Sequence, residues 1–469
     1  MALISDNWPD VEASLDILER EEAERVTSLV ETLQPHYRRI EAYVSSRHPQ
    51  QLPCHLVTDR YTWGRSFLVY EVVFEDGISW IMRFGFPPID EYFNTSEQLE
   101  RKILNEVAAL HLVRQRTTIP VPEVIAHHAH PSPTNPLGAS LPAFVLMTAL
   151  QGMTIADCGI AIEELGSGAY QDTTAMADPL GGDEGKRPVL QRYLRDIADI
   201  HVQLSRITFD GIGSFAFDTR GEVVVGPGAD FGLGPFASAS EYFAVQAEAY
   251  EHLARAAGEQ DNSEKAEGGA DDSGSLKRRF VASLWRKAMM PLVDAQDEHG
   301  PFPMRHGDLH CDNILVDATG HIIGVLDWDC AGTVPWEVFA IPTFEVTGHF
   351  AADDANSSTS SCSSAEDLLA TPPPPPSRPE AHYLFNEELR KAEMQLGDLN
   401  NKSGRSLAAL HDSDAGHVGS FLAYWMYSFG CDYDHTGRAL HRIIGSDDDI
   451  DHDFRKFADE VNALDVEMY

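Results

Sequence analysis

Residues 302–329 read FPMRHGDLHCDNILVDATGHIIGVLDWD, and the reading of this stretch decides the fold. His306, Gly307 and Asp308 are followed by Asn313, five residues beyond the aspartate. Ile314 to Val316 is an apolar strand, Asp317 to Gly320 a turn, and His321 to Leu326 a second strand that ends on Asp327. Folding the second strand back along the first brings Asp308, Asn313 and Asp327 to the mouth of one hairpin. Mg2+ takes oxygen ligands, keeps several waters, and is usually held by one or two carboxylates plus the phosphates of its substrate. Asn313 and Asp327 fit those places. Asp308 remains as the carboxylate that orients a hydroxyl and accepts its proton during phosphoryl transfer.

The same stretch admits other readings. His306, Asp308 and His310 alternate as in a metal-binding strand of a hydrolase, but no second histidine cluster supplies the remaining ligands. Asp327 and Asp329 form a carboxylate pair, yet neighbouring positions on one strand face would not flank a glycosidic bond. Asp329 reads as structural, and Cys311 and Cys330 read as small packing residues. His310 divides evenly between packing and a local hydrogen bond.

HGDLHCDNILV followed by GVLDWD resembles the aminoglycoside phosphotransferase family, close to choline kinase-like small-molecule kinases. The resemblance implies an α+β, two-lobed, protein-kinase-like fold, with a small β-rich N-terminal lobe, a larger mainly helical C-terminal lobe, and ATP in the cleft. The implied boundaries are an N-terminal helical extension over 1–50, a nucleotide-binding lobe over 51–150, and a catalytic and substrate-binding lobe over 151–469. The implied cofactors are ATP and Mg2+. Asp308 is the expected base, and Asn313 and Asp327 the expected metal ligands.

Upstream, the pattern turns β-branched and aromatic from Cys54, with strands at Phe67 to Phe74 and Ile78 to Phe84 around the turn Asp76-Gly77. The preceding TWGRSF carries Gly64 and Ser66, where a kinase-type lobe covers phosphates with backbone N–H groups. The full G-x-G-x-x-G pattern is absent, so an ordinary turn is equally good in isolation. Arg83 stands where protein kinases place a lysine against the α- and β-phosphates; it could also be an exposed strand-end arginine. In the helix expected over Ser96 to Gln115, Glu106 falls on the apolar stripe Leu99, Ile103, Leu110. A carboxylate there needs a partner or water, and Arg83 is the natural partner. Leu141 to Ala149 is an apolar strand. By the resemblance it leads into the connection between lobes, where Met147 would back the adenine and the main chain at Thr148 and Leu150 would hydrogen-bond it. A plain buried strand is the competing reading.

With 35 Lys plus Arg against 74 Asp plus Glu, the formal charge is −39, which argues against nucleic acid and anionic membranes as partners. A cationic small molecule would suit that charge, and so would solubility alone. Six cysteines lie scattered without C-x-x-C, the N-terminus lacks an apolar leader, and no run approaches a membrane span, so a cytoplasmic protein is expected.

Residues 11–45 carry helical spacing for one or two helices, and 166–188 reads as a loop. Helical spacing returns over Val189 to Leu204, where His201 reads as a packing residue, and around Phe280 to Leu292. Trp336 and Glu337 read as structural. Polar, acidic 256–275 and Ser- and Pro-rich 353–379 read as disordered insertions, the latter with a candidate site at 371–379 for a Pro-recognising protein. Aromatic 421–429 is expected in the core. Function narrows to two readings. One is an ATP- and Mg2+-dependent phosphotransferase acting on a small-molecule hydroxyl. The other is a nucleotide-binding pseudokinase that serves as a scaffold.

Overall fold

The computed structural model describes residues 3–88, 95–160, 184–229, 232–249, 273–342, 380–396, 402–413, 416, 419, 433–445 and 449–467. Three helices come first: α1 (Val11–Asp16), α2 (Arg20–Leu33) and α3 (Tyr37–Arg47). There is one more than the spacing predicts. Pro35 has no N–H to donate, and Gln34–His36 tightens into a 3-10 turn between α2 and α3. Asp10 starts α1 separately by accepting from the N–H of Ala13.

Strands β1 (Cys54–Trp63), β2 (Phe67–Phe74) and β3 (Ser79–Gly85) follow, then α4 (Ser96–Arg116), β4 (Val124–His128) and β5 (Phe144–Thr148). They form an antiparallel sheet in the order β1-β2-β3-β5-β4. The period of two sorts its side chains. Leu68, Tyr70, Val72 and Phe74 join Trp80, Met82 and Phe84 against Val26, Leu29, Leu33, Ile40 and Val44 of α2 and α3. On the other face Phe67, Val145 and Met147 meet Leu99 and Ile103 of α4. Each fully buried Leu or Phe contributes roughly 1.5–3 kcal/mol relative to exposure, so the two apolar faces clamp the sheet between helices. β5 is shorter than Leu141 to Ala149 because Pro142 cannot donate to a ladder.

The remainder is mainly helical. It comprises α5 (Arg187–Ser205), β6 (Thr208–Phe209), β7 (Gly213–Phe217), β8 (Val223–Gly226), α6 (239–249) and α7 (Ser273–Met289). Next come β9 (Phe302–Arg305), β10 (Ile314–Val316), β11 (Ile322–Val325), β12 (Gly332–Thr333) and α8 (Trp336–Phe339). The last helices are α9 (Glu380–Leu396), α10 (Leu407–His411), α11 (Arg438–Ile444) and α12 (Ile450–Glu467). β10 and β11 pair as the expected hairpin. Its apolar side, Ile314, Val316 and Val325, is buried with Leu190, Leu194 and Ile197 of α5 and with Phe385 and Leu389 of α9. His201 is a packing residue: it stacks on Phe339, and burial pushes its imidazole down to about 3. Trp336 is buried and donates to the Pro301 carbonyl, and Glu337 accepts from the N–H of Asp294.

This is the expected α+β, kinase-like arrangement, a β-rich N-terminal region followed by a mainly helical one. Ser273 to Ser275, expected within an insertion, begin α7. The rest of the 256–275 segment, 353–379, 421–429 and most of the 166–188 loop lie outside the described residues. No described helix is long and apolar enough to cross a membrane.

Candidate active site

The site lies where the β10–β11 hairpin meets the sheet and α4. β9 delivers the chain to Gly307, which has φ +92°; a Cβ there would come within 2.1 Å of the Cys330 carbonyl oxygen. Only glycine lets the Asp308 loop lie this close to the segment after Asp327. His306 joins the same two segments. Its Nε2 lies 2.8 Å from the Leu326 carbonyl, and the Asp308 N–H donates to its Nδ1 across 3.3 Å. Burial pushes His306 down to about 4, so the ring is neutral and can donate at one nitrogen while accepting at the other.

Asn313 is buried, and its Nδ2 donates to the Asp308 carbonyl at 2.8 Å and to His310 Nε2 at 3.0 Å. Both amide protons are thereby turned inward. Oδ1, which accepts no hydrogen bond among the described residues, is the atom left for a cation. The local hydrogen bond thus decides the role of His310. Asp308 Oδ2 lies 3.9 Å from His310 Nε2. Burial, with Asp327 nearby, raises the Asp308 carboxyl above the usual range, while His310 pulls it down.

Asp327 has a left-handed backbone, φ +60°, a conformation that costs most L residues about 1–3 kcal/mol and aspartate less than most. Its carboxylate is 40% exposed and accepts from Arg83 Nη2 at 3.3 Å. Arg83 also donates through Nη1 to Glu106 at 2.6 Å, and its guanidinium lies 4.1 Å from the centre of the Phe67 ring. The expected Arg83–Glu106 pair is therefore formed, and Arg83 is not an exposed strand-end residue: its side chain is 12% exposed, that of Glu106 1%. Burial works to lower the Arg83 pKa, but Glu106 and Asp327 outweigh it and the net shift is upward. Burial raises Glu106 against the pull of Arg83. Glu106 Oε2 is buried with no hydrogen-bond partner among the described residues.

The residues expected at the phosphates and the adenine are placed with differing fit to those roles. Gly64 sits in the β1–β2 turn, where a Cβ would meet none of the described residues within 4 Å, but its N–H is spent on the Phe67 carbonyl. Ser66 accepts from the N–H of Phe86, which ties the turn to the end of β3. Met147 is buried on the α4 side of the sheet. The N–H of Thr148 donates to the Glu123 carbonyl at 2.9 Å. Beyond Leu150, Gly152 crosses the hairpin so tightly that a Cβ would lie 2.8 Å from Leu315 Cβ, and Met153 pairs with Val316.

Two nearby residues escaped the sequence reading. Lys102 of α4 reaches Asp329 Oδ2 at 3.8 Å, and burial, with Asp327 close, pushes Asp329 up to about 6. Asn105, also on α4, donates to the carbonyls of Asp329 and Ala331, each at 2.8 Å, and accepts from the N–H of Phe215 at 2.6 Å. The available signal was a polar residue beside the apolar stripe of α4. Among the described residues no group of three or more His, Cys, Asp or Glu could hold a metal. The open Asn313 Oδ1 and the exposed Asp327 carboxylate are a hard-oxygen pair of the kind that holds Mg2+ together with phosphate oxygens.

A model of the phosphotransferase enzyme family matches residues 59–337, more than half of the 469-residue chain. No curated protein matches the sequence significantly. Among solved structures, the macrolide 2'-phosphotransferase MphH from Brachybacterium faecium is similar at 14% identity and a TM-score of 0.38, with 87% of this chain and 99% of that chain covered. A thermostable mutant of aminoglycoside phosphotransferase APH(4)-Ia, in ternary complex with AMP-PNP and hygromycin B, shows 13% identity and a TM-score of 0.38, with 86% and 96% covered. Amicoumacin kinase hAmiN, in complex with AMP-PNP, Ca2+ and Ami, shows 13% identity and a TM-score of 0.40, with 90% and 99% covered.

Proposed function

The chain belongs to the phosphotransferase enzyme family, and from that premise we propose that it transfers the γ-phosphoryl group of ATP to a hydroxyl of a small molecule in a Mg2+-dependent reaction. The observation that carries the proposal is the convergence of Asp308, Asn313 and Asp327 at one hairpin mouth, with Asn313 Oδ1 open, the Asp327 carboxylate exposed beside Arg83, and the Asp308 side chain bonded by neither the Asn313 amide nor the Arg83 guanidinium.

In this reading Asp308 accepts the hydroxyl proton and orients the oxygen for attack. Its raised pKa brings it nearer to neutrality, where a general base transfers protons best. Asn313 and Asp327 would hold Mg2+, which neutralises phosphate charge when bound. Arg83, fixed by Glu106, would place the α- and β-phosphates. His306 keeps the base and the metal aspartate in register through its two hydrogen bonds.

Arg83 in place of lysine and the spent Gly64 N–H favour a scaffold that only binds nucleotide; the complete base-and-metal set favours the enzyme. Calorimetric titration of ATP into the full chain, with Mg2+ and with EDTA, tests the nucleotide half of the proposal. Binding that Mg2+ strengthens in the native chain and not in Asp327→Asn supports it. Equal binding with and without Mg2+ would overturn it.

A further inference from the structure

Asp327 keeps a left-handed backbone at the point where a cation would be held, so something must hold the segment that follows it. Trp328 is fully buried, and its indole N–H returns to the Val325 carbonyl at 3.1 Å, which fixes the residue next to Asp327. The three residues between Trp328 and Gly332 lie outside any strand, since β12 begins only at Gly332. Asn105 donates to the carbonyls of the first and the last of them.

Its Nδ2 donates to the Asp329 and Ala331 carbonyls, which bracket Cys330, and its Oδ1 accepts from Phe215 of β7. One amide thus uses both protons and its oxygen to tie α4, the segment after Asp327 and β7 together. Asn105 is 1% exposed, and a buried amide satisfied at every atom has one low-energy orientation. Lys102 and Glu106, one turn before and one residue after it, reach the same segment through Asp329 and, by way of Arg83, through Asp327.

We propose that Asn105 is a positioning residue for phosphoryl transfer: its amide holds the backbone at Asp329 and Ala331, and so keeps the Asp327 carboxylate where Mg2+ is to be bound. The proposal rests on the reading of Asp327 as a metal ligand. α4 is then a built-in part of the metal site, tied to it from three positions on one helix face. A residue that orients a metal ligand from behind acts on metal affinity, and removing such a partner typically costs about 10–100-fold.

The test uses the full chain carrying Asn105→Asp, which keeps an oxygen toward Phe215 and loses both donations, with Lys102→Gln as a second, milder variant acting on the same segment. Hydrogen exchange without nucleotide reads the backbone directly. Faster exchange over 328–332 in both variants, and more in Asn105→Asp, is expected; unchanged exchange there overturns the proposal whatever the nucleotide does. Calorimetry then reads the consequence. The Mg2+-dependent gain in ATP affinity is expected to fall about tenfold or more in Asn105→Asp, with binding in EDTA unchanged within about twofold. Equal losses with Mg2+ and with EDTA would mean a general structural role, and would overturn the proposal. If Asn105→Asp does not fold, Lys102→Gln carries both readouts with the same signs. A native chain whose ATP binding ignores Mg2+ refutes the function reading, while the exchange result still decides whether Asn105 holds the segment.

Discussion

Arg83 Nη2 donates to Asp327 Oδ1 across 3.3 Å and so joins the third strand to a residue 244 positions further along the chain. Because the same guanidinium holds Glu106 at 2.6 Å, it ties the N-terminal sheet, α4 and the Asp327 segment together. A lysine ammonium is a point donor on a flexible stem and does not reproduce the planar fork.

Arg83→Lys is therefore expected to raise the KM for ATP several-fold with a smaller effect on kcat, measured by steady-state kinetics at saturating Mg2+. Arg83→Met should do more, because it leaves Glu106 as an uncompensated buried charge. Breaking a buried pair from one side costs about 3–5 kcal/mol. Denaturant unfolding reads that loss, and the double change Arg83→Met with Glu106→Met should recover most of the stability and none of the nucleotide affinity.

Asp308→Asn should lower kcat by about 10²–10⁴, the usual range for a positioned general base, with ATP affinity unchanged within about twofold. The native base must be ionised, and burial raises its pKa, so activity should fall as pH drops through a value above the ordinary aspartate range. His310 pulls that pKa down. His310→Gln should therefore move the acid limb of the kcat/KM profile to higher pH.

Asn313→Asp keeps an oxygen for the cation but cannot donate to the Asp308 carbonyl or His310. Mg2+-dependent ATP binding should persist while kcat falls, by about tenfold or more if the loop loosens. Calorimetry and turnover on the same sample check the split. Loss of Mg2+-dependent binding with loop exchange unchanged would count against this division of labour.

Glu71, buried in β2 on the face it shares with Arg83, accepts from Ile4 N, Ser5 N, Ser5 Oγ and Ser79 Oγ at 2.6–3.2 Å. It fastens the N-terminal turn to the sheet. Burial works against its charge, but these donors win and hold its pKa below the usual glutamate value. A depressed folded-state pKa contributes stability above the unfolded value, which is lost as pH falls through the folded one. Glu71→Gln should cost about 1–3 kcal/mol at neutral pH, with the gap to the native chain closing as the pH falls through that range. Unfolding curves at several pH values measure this.

That Asp308, Asn313 and Asp327 come together was legible because they flank one hairpin, where spacing along the chain is spacing in space. Arg83 and Glu106 could be paired because a carboxylate on an apolar helical stripe demands a partner. Other features left weaker marks. The sheet β6-β9-β12-β7-β8 has strands of two to five residues, too short for an alternation to show. Asn105 acts through two carbonyls and one N–H, and backbone partners leave no residue type to recognise. Gly64 shows the converse: a glycine in the expected place whose N–H closes its own turn.

The most direct test of the central claim is transfer of the labelled γ-phosphoryl group of ATP, in the presence of Mg2+, into a deproteinised small-molecule extract, with the native chain and with Asp308→Ala. Label entering an acceptor with the native chain and not with the variant is the predicted result. Equal labelling by both chains would contradict the assignment of Asp308 as the base, and with it the mechanism built on the hairpin.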